Sequence, residues 1–272
     1  MTLTQNTCPI ATRYGEALPG TAARNPVIDS LLSHRSVRNF LPRPLEAGTI
    51  ELMVAAASSA PTSSNLQVWS VVAVQDPATR AKLAELAGGQ KHIAEAPLCF
   101  LWVADLSRAE AVLQAEGAET EALDHTEAFV LATVDAMLAA QNALVAAESL
   151  GLGTVYIGGL RNHPAELAAL IGLPKRAYVV AGLVVGHPDP GVETAVKPRL
   201  PQEAVLHHER YSTDQTAAVA RHDAATLDFR AAQGLSPQPW TALVKGRLGS
   251  IRGLSGRHVL RSVLENLGFG FR

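Results

Sequence analysis

The chain has no excess of either charge. Over 272 residues, Lys and Arg total 23 against 25 acidic residues, a net charge of −2 at pH 7. A nucleic-acid backbone calls for a basic excess, so no nucleic-acid partner is expected. Cysteine is almost missing: Cys8 lies in a polar leader and Cys99 inside the apolar run 98–103. The pair reads as two free thiols in a reducing, cytoplasmic compartment rather than a disulfide framework. No charged segment followed by an apolar one opens the chain, so no secretory signal is expected. Several catalytic signatures are also missing. There is no GxxxxGK[ST] loop, and Gly253-Leu254-Ser255-Gly256 is not a nucleophile elbow. Gly151-Leu152-Gly153 begins like a dinucleotide fingerprint. However, Tyr156 occupies the third glycine position, and the motif follows a helix and precedes a strand, the reverse of the required context. His207, His208 and Glu209 are adjacent rather than spaced for one metal, so no metal site is expected.

What is present is globular in character, with 47% hydrophobic and 18% charged residues. Residues 1–24 show no clear period and read as a leader or arm. Asn25-Pro26 reads as an N-cap with proline opening a helix through Leu32. A second helix is expected over 46–58, with Ile50, Leu52, Met53 and Val54 on its apolar side. A strand is expected over 69–74, and Asp76-Pro77 caps a third helix that Gly88-Gly89 ends. Leu98–Ala104, an unbroken apolar run, reads as a buried strand, and the acidic stretch 109–126 as a mobile excursion. Residues 128–147 are apolar almost throughout and about long enough to cross a bilayer. They carry Asp135, Gln141 and Asn142 without flanking Lys or Arg, so they read instead as a helix buried on all sides, in a core or at a subunit interface, and no membrane association is expected. Further strands are expected over 154–157 and 178–185, a helix from His163-Pro164, and helices over 214–232 and 240–268. Four irregularly spaced strands among many helices argue against a doubly wound parallel sheet.

Three clusters interrupt the apolar stretches: His34-Arg35-Ser36-Val37-Arg38, Tyr156-Ile157-Gly158-Gly159-Leu160-Arg161 and Lys197-Pro198-Arg199-Leu200-Pro201. Each offers what an anion binds: fixed cations, a hydroxyl, or glycines that leave backbone N–H groups open. Taken together with Ser63-Ser64-Asn65-Leu66-Gln67, Gly88-Gly89-Gln90-Lys91-His92, Gln141-Asn142 and the run 146–153, they make seven collinear blocks across about residues 25–211. In these blocks the chain resembles the nitroreductase family, in particular its oxygen-insensitive NADPH nitroreductase and NADPH-flavin oxidoreductase branch.

That resemblance implies an α+β sandwich, nitroreductase-like and FMN-binding, assembled as an intertwined homodimer. It divides the chain into the leader, a core over 25–204, and a helical C-terminal extension over 205–272 that covers the partner subunit and the active site. It implies FMN as cofactor and NADPH or NADH as co-substrate, with ping-pong hydride transfer through flavin N5. No side chain is assigned to catalysis itself, apart from Arg38 as a stabiliser of reduced flavin. His34, Arg35, Ser36 and Arg38 would line the cofactor, with Thr62, Ser63, Gln67 and Gln90 contacting it. Tyr156, Ile157, Gly158 and Gly159 would pass near N5 through their backbone, and Lys197 and Arg199 would clamp the phosphate. Nitroaromatics, quinones, chromate or free flavin would be the oxidants. The alternatives are a reductase that delivers reduced FMN to a partner oxygenase, and a non-catalytic FMN sensor. In two respects the chain departs from the branch. Residues 231–240 carry no arginine where the branch holds the nicotinamide-coenzyme phosphate, although Arg230 lies nearby, and the leader and the acidic excursion are extra.

Overall fold

The structure is a computed structural model that describes residues 9–15 and 23–272. Its elements run α1 (Pro9–Tyr14), α2 (Pro26–Ser33), α3 (Thr49–Ser58), β1 (Trp69–Val74), α4 (Pro77–Leu86), α5 (Lys91–Glu95) and β2 (Leu98–Asp105). They continue through α6 (Ser107–Ala115), α7 (Thr126–Ser149), β3 (Gly153–Ile157), α8 (Pro164–Leu170) and β4 (Ala177–Gly186). The last three are α9 (Thr216–Ala232), α10 (Trp240–Leu248) and α11 (Leu260–Asn266). By compactness the chain divides into a sheet unit, Ser36–Glu193 with Ser255–Arg272, and a helical unit, Met1–Arg35 with Thr194–Leu254.

In the sheet unit the four strands are all antiparallel, in the order β1-β2-β4-β3. The two central strands are buried along their whole length, which is why β2 and β4 read as continuous apolar runs rather than as alternating ones. Side chains of a strand point alternately to its two faces. Leu98, Phe100 and Trp102 therefore pack under α3 and α7, while Cys99, Leu101 and Val103 pack against α4, α5 and α8. A third cluster joins Leu106, Tyr178 and Val180 to Leu264 of α11 and to Phe269, which meets Phe129 edge-on at 5.2 Å. Residues 255–272 thus belong to this unit's core. The buried Cys99 thiol is free and is pushed up to about 12 by burial. Cys8 lies outside the described residues.

The caps follow the sequence. Asn25 Oδ1 accepts from the Ile28 N–H at 3.0 Å, and Asp76 accepts from the Thr79 N–H at 2.7 Å. Several expectations need correction. The second helix starts at Thr49, because residues 46–49 form a turn closed by the Thr49 N–H on the Glu46 carbonyl, and Leu52 is exposed. The acidic stretch is no loose excursion. It forms α6 and a 3₁₀ turn over Glu121–Asp124, drawn in by Arg176, which reaches Glu110 at 2.7 Å and Asp124 at 2.8 Å. The helix expected over 240–268 breaks into α10, short 3₁₀ turns and α11 around Gly249, Gly253 and Gly256, residues with poor helix propensity. Within residues 1–24, Pro9–Tyr14 form α1.

The long apolar segment is one continuous helix. It is the helix α7, long and apolar enough by length and composition to cross a membrane. Its alanines at 132, 136, 139, 140, 143 and 147 are buried on the sheet side, while Val130, Val134 and Leu138 are exposed. Small residues let the helix lie close to the sheet, and among the described residues nothing covers the opposite stripe.

Candidate functional site

The first cluster sits where a helix ends and an edge contact begins. His34 closes α2 in the helical unit, and Arg35 Nε donates to Thr194 Oγ1 at 2.8 Å. In the sheet unit Ser36 bridges Thr154 of β3 in parallel, and the Val37 N–H donates to the Thr154 carbonyl at 2.9 Å. Val37 is buried, and a Cβ at Gly153 would lie 2.8 Å from its own Cβ, so only glycine lets this segment dock. Strand-like alternation then turns Ser36 and Arg38 away from the core, and Arg38 is exposed.

Beside Arg38 stands a histidine that sequence reasoning left as part of a motif. His92 is held below the usual imidazole range, first by burial and then by the positive charge of Arg38. Its Nε2 is buried without a hydrogen-bond partner among the described residues. Gln90, two residues earlier, donates from Nε2 to the Ala87 carbonyl at 2.9 Å. The end of β3 passes directly over that pair. A Cβ at Gly159 would lie 2.4 Å from Gln90 Nε2 and 2.6 Å from the Ala87 oxygen. The Gln90 side chain and the Ala87 carbonyl therefore leave room only for glycine at position 159. Ile157 is buried in the core, so only its backbone is available at the strand end. The Tyr156 phenol is raised above its ordinary value by burial and then by Glu148. Ser36 thus lies against the start of β3 at Thr154, while Gly158 and Gly159 follow its end and Gly159 packs against the Ala87–Gln90 turn.

The loop after α3 is shaped by a residue that sequence reasoning treated only as a flaw in an apolar helix. Asp135 of α7 is 2% exposed. Its carboxylate accepts from the Thr62 hydroxyl at 2.5 Å and from the backbone N–H groups of Ser63 at 3.2 Å and Val68 at 3.4 Å. Thr62 Oγ1 in turn accepts from the Gln67 N–H at 2.9 Å. Ser64, Asn65 and Gln67 all adopt left-handed backbone conformations, which cost non-glycine residues energy and persist only when their surroundings impose them. The Thr62 hydroxyl is therefore occupied inside the protein, while Ser63 and Gln67 are exposed. The signal in the sequence was a lone acid within an alanine-rich stretch.

Lys197 and Arg199 lie exposed on a loop of the helical unit, at a cavity of about 580 Å³ that also involves Tyr14, His222, Arg230 and Trp240. His222 is 5% exposed and held below its usual range by burial, which outweighs its hydrogen bond with the Arg199 backbone. Its Nδ1 has no hydrogen-bond partner among the described residues, and its ring meets Trp240 edge-on at 5.5 Å. Arg230 Nε donates to the Ser236 carbonyl at 2.6 Å. No sequence signal marked Arg13, which is 4% exposed and donates to the carbonyls of Leu32, His34 and Lys197.

Helices on both faces of a four-stranded antiparallel sheet define an α+β protein. Comparison with known proteins is specific. Residues 31–187 match the model of the nitroreductase family, and residues 197–272 match the model of that family's C-terminal domain. The chain belongs to the nitroreductase family. It is 44% identical over 188 residues to the FMN reductase [NAD(P)H] of Bacillus subtilis, covering 69% of this chain and 75% of the relative. It is 38% identical over 210 residues to the oxygen-insensitive NADPH nitroreductase of Salmonella typhimurium, covering 77% and 85% respectively. The solved NADPH:FMN oxidoreductase of Vibrio harveyi, complexed with NAD+, superposes with a TM-score of 0.80 at 33% identity, over 91% of this chain and all of that one.

Proposed function

We propose that this chain is an FMN-dependent NAD(P)H oxidoreductase, of the nitroreductase and flavin or quinone reductase type, acting as a cytoplasmic homodimer. The observation that carries the reading is the pairing of family membership with cation-rich loops that suit a phosphorylated ligand. The residues fit FMN. The helical unit offers Lys197 and Arg199 at the rim of a cavity, as a terminal phosphate requires. The sheet unit offers a buried His92 nitrogen without a partner among the described residues, within the field of Arg38, and a strand end followed by glycines.

Ser36, Arg38, Ser63, Gln67 and Gln90, with the backbone of Tyr156–Gly159, hold and orient the ring and ribityl chain in this reading. His34, Arg35, Lys197 and Arg199 hold the phosphate. FMN, when bound, supplies hydride acceptance and donation at N5. Arg38 supplies fixed positive charge, and His92, kept neutral at its side, adds none that would compete. Thr62 acts through the loop rather than by direct contact, because Asp135 and Gln67 occupy its hydroxyl. Reductant and oxidant take turns at one face, so kinetics are ping-pong. Nitroaromatics or flavin are the favoured oxidants, the latter in line with a relative named for reducing FMN. The exposed stripe Val130, Val134 and Leu138 on α7 supports a dimer contact, because three apolar side chains on one helix face gain from burial against a second copy. Since residues 255–272 pack into their own unit, residues 205–254 are the part of the extension left to reach a partner.

The test begins with the purified protein. Denaturation should release FMN, and stopped-flow mixing with NADPH or NADH should bleach the yellow chromophore. Release of FAD, or no flavin binding on reconstitution, would overturn the cofactor assignment, and a chromophore that neither coenzyme bleaches would make the protein a sensor. Arg199→Ala should weaken FMN binding about 10- to 150-fold, the range for losing a charge-assisted phosphate contact of about 1.5–3 kcal/mol.

A further inference from the structure

The helix α1 lies upstream of residue 31, where the family match begins, and nothing in the comparisons gives it a role. Yet it carries Arg13, one of the most buried charged residues in the protein. The Arg13 guanidinium donates from Nη2 to the carbonyls of Leu32 at 2.6 Å and His34 at 2.8 Å, and from Nη1 to that of Lys197 at 3.2 Å. The Arg13 carbonyl accepts from the Arg199 N–H at 3.0 Å. All these residues belong to the helical unit.

The chemistry of this arrangement is specific. A guanidinium is a rigid planar fork of five donors, so carbonyls bound to it are fixed relative to one another as well as to the arginine. Leu32 and His34 sit at the C-terminal end of α2, where backbone carbonyls have no helical partner and must be satisfied from outside. Lys197 and Arg199 sit on a loop more than 160 residues downstream, with no regular secondary structure of its own. One side chain and one carbonyl of α1 therefore join the backbone of the two cation clusters of this unit. The side chains of His34, Lys197 and Arg199 then leave a backbone whose positions are set.

We infer that Arg13 is a positioning residue for phosphate recognition: by tying the end of α2 to residues 197–199, it pre-arranges the phosphate-binding cations without touching the ligand. This rests on the FMN reading above. An ordered clamp loses less freedom on binding than a loose one, and the gain falls on the phosphate alone. Riboflavin shares the ring and ribityl chain but lacks the phosphate, so it separates this role from a merely structural one.

The experiment measures dissociation constants of FMN and riboflavin by fluorescence titration of the apoprotein, for the wild type, Arg13→Ala and Arg13→Lys. The expected result is an FMN constant raised tenfold or more in Arg13→Ala with the riboflavin constant changed less than twofold. Arg13→Lys keeps the charge and most of the stem but not the fork. It should show most of the same loss and is the variant measured if Arg13→Ala does not fold. Adding Arg199→Ala to the Arg13 variant should cost less than the product of the two single effects, because both act through one clamp. An unchanged FMN constant, an equal loss for both ligands, or full rescue by lysine would each overturn the inference. A wild-type chain that binds neither ligand would overturn the flavin reading itself, a failure told apart because it needs no variant.

Discussion

In the sheet unit, Phe100, Trp102, Leu83, Ile93, Leu167 and Leu183 are fully buried, and the segments that carry Ser36, Arg38 and Gly159 are wedged against that core through Val37 and the Ala87–Gln90 turn. In the helical unit, the buried residues among those described are Arg13, Ala204, Ala218, His222 and Thr226, three of them polar. There the Lys197–Arg199 loop is held by hydrogen bonds to backbone from Arg13 and His222. The difference separates two ways of placing a binding group. Apolar burial contributes about 25 cal/mol per Å² and is spread over many side chains, so it tolerates the loss of one. A net hydrogen bond contributes only about 0.5–1.5 kcal/mol, but here a few donors decide where a loop lies. The sheet unit is not purely apolar either, since the Asp135 carboxylate organises the 62–68 loop from inside a helix.

That exception yields the largest expected effect. Asp135→Ala would leave the Thr62 hydroxyl and two backbone N–H groups without their charged acceptor, and it would release a loop with three left-handed residues. Hydrogen bonds to a charged group contribute about 1.5–3 kcal/mol, so a loss of about 3 kcal/mol in urea unfolding is expected. A loss below about 1 kcal/mol would mean the loop holds its shape by packing, and the sheet unit would be more purely apolar in its construction than described.

Gly159→Ala tests the wedge itself. The new methyl meets the Ala87 carbonyl and Gln90 Nε2 well inside contact distance. Overpacking of this kind costs about 1–3 kcal/mol, and a crystal structure of the variant should show the 87–90 turn displaced. An unperturbed turn at wild-type stability would show that this approach is looser than drawn.

A smaller effect is expected in the helical unit. Arg230 is an arginine at the cavity beside Trp240, and its Nε is committed to the Ser236 carbonyl. Discrimination between NADPH and NADH should therefore be about tenfold or less in kcat/KM, about 1.4 kcal/mol, and Arg230→Ala should remove most of it while sparing NADH turnover. A thousandfold preference in the wild type would point to cations other than these.

The smallest effect compares the units by pH. His92 in the sheet unit, partly buried, and His222 in the helical unit, buried, are both held below the ordinary imidazole value, so the unfolded chain binds their protons at higher pH than the folded one. Their contribution to stability is complete above about pH 6.5 and is lost as pH falls below it toward the lowered values. NMR titration of the two imidazoles should give midpoints below 6.5. A midpoint above that value for either one would reverse the sign of its contribution.

Much of this protein could be read from its residues in order. Local chemistry determined the caps at Asn25 and Asp76, the strands at 69–74 and 98–105, the break after Ser149 and the cation clusters, because each depends on neighbours a few positions away. Tertiary structure decided the rest. Val37 acquires its role from Gly153, Asp135 from the loop at 62–68, Arg176 from the acids at 110 and 124, and Arg13 from a loop at 197–199. In each case the energy lies in a contact between residues distant in sequence, and nothing local to either partner marks it. One face of α7 shows the same limit: composition made the helix apolar all round, but only packing against the sheet distinguished the buried alanines from the exposed valines.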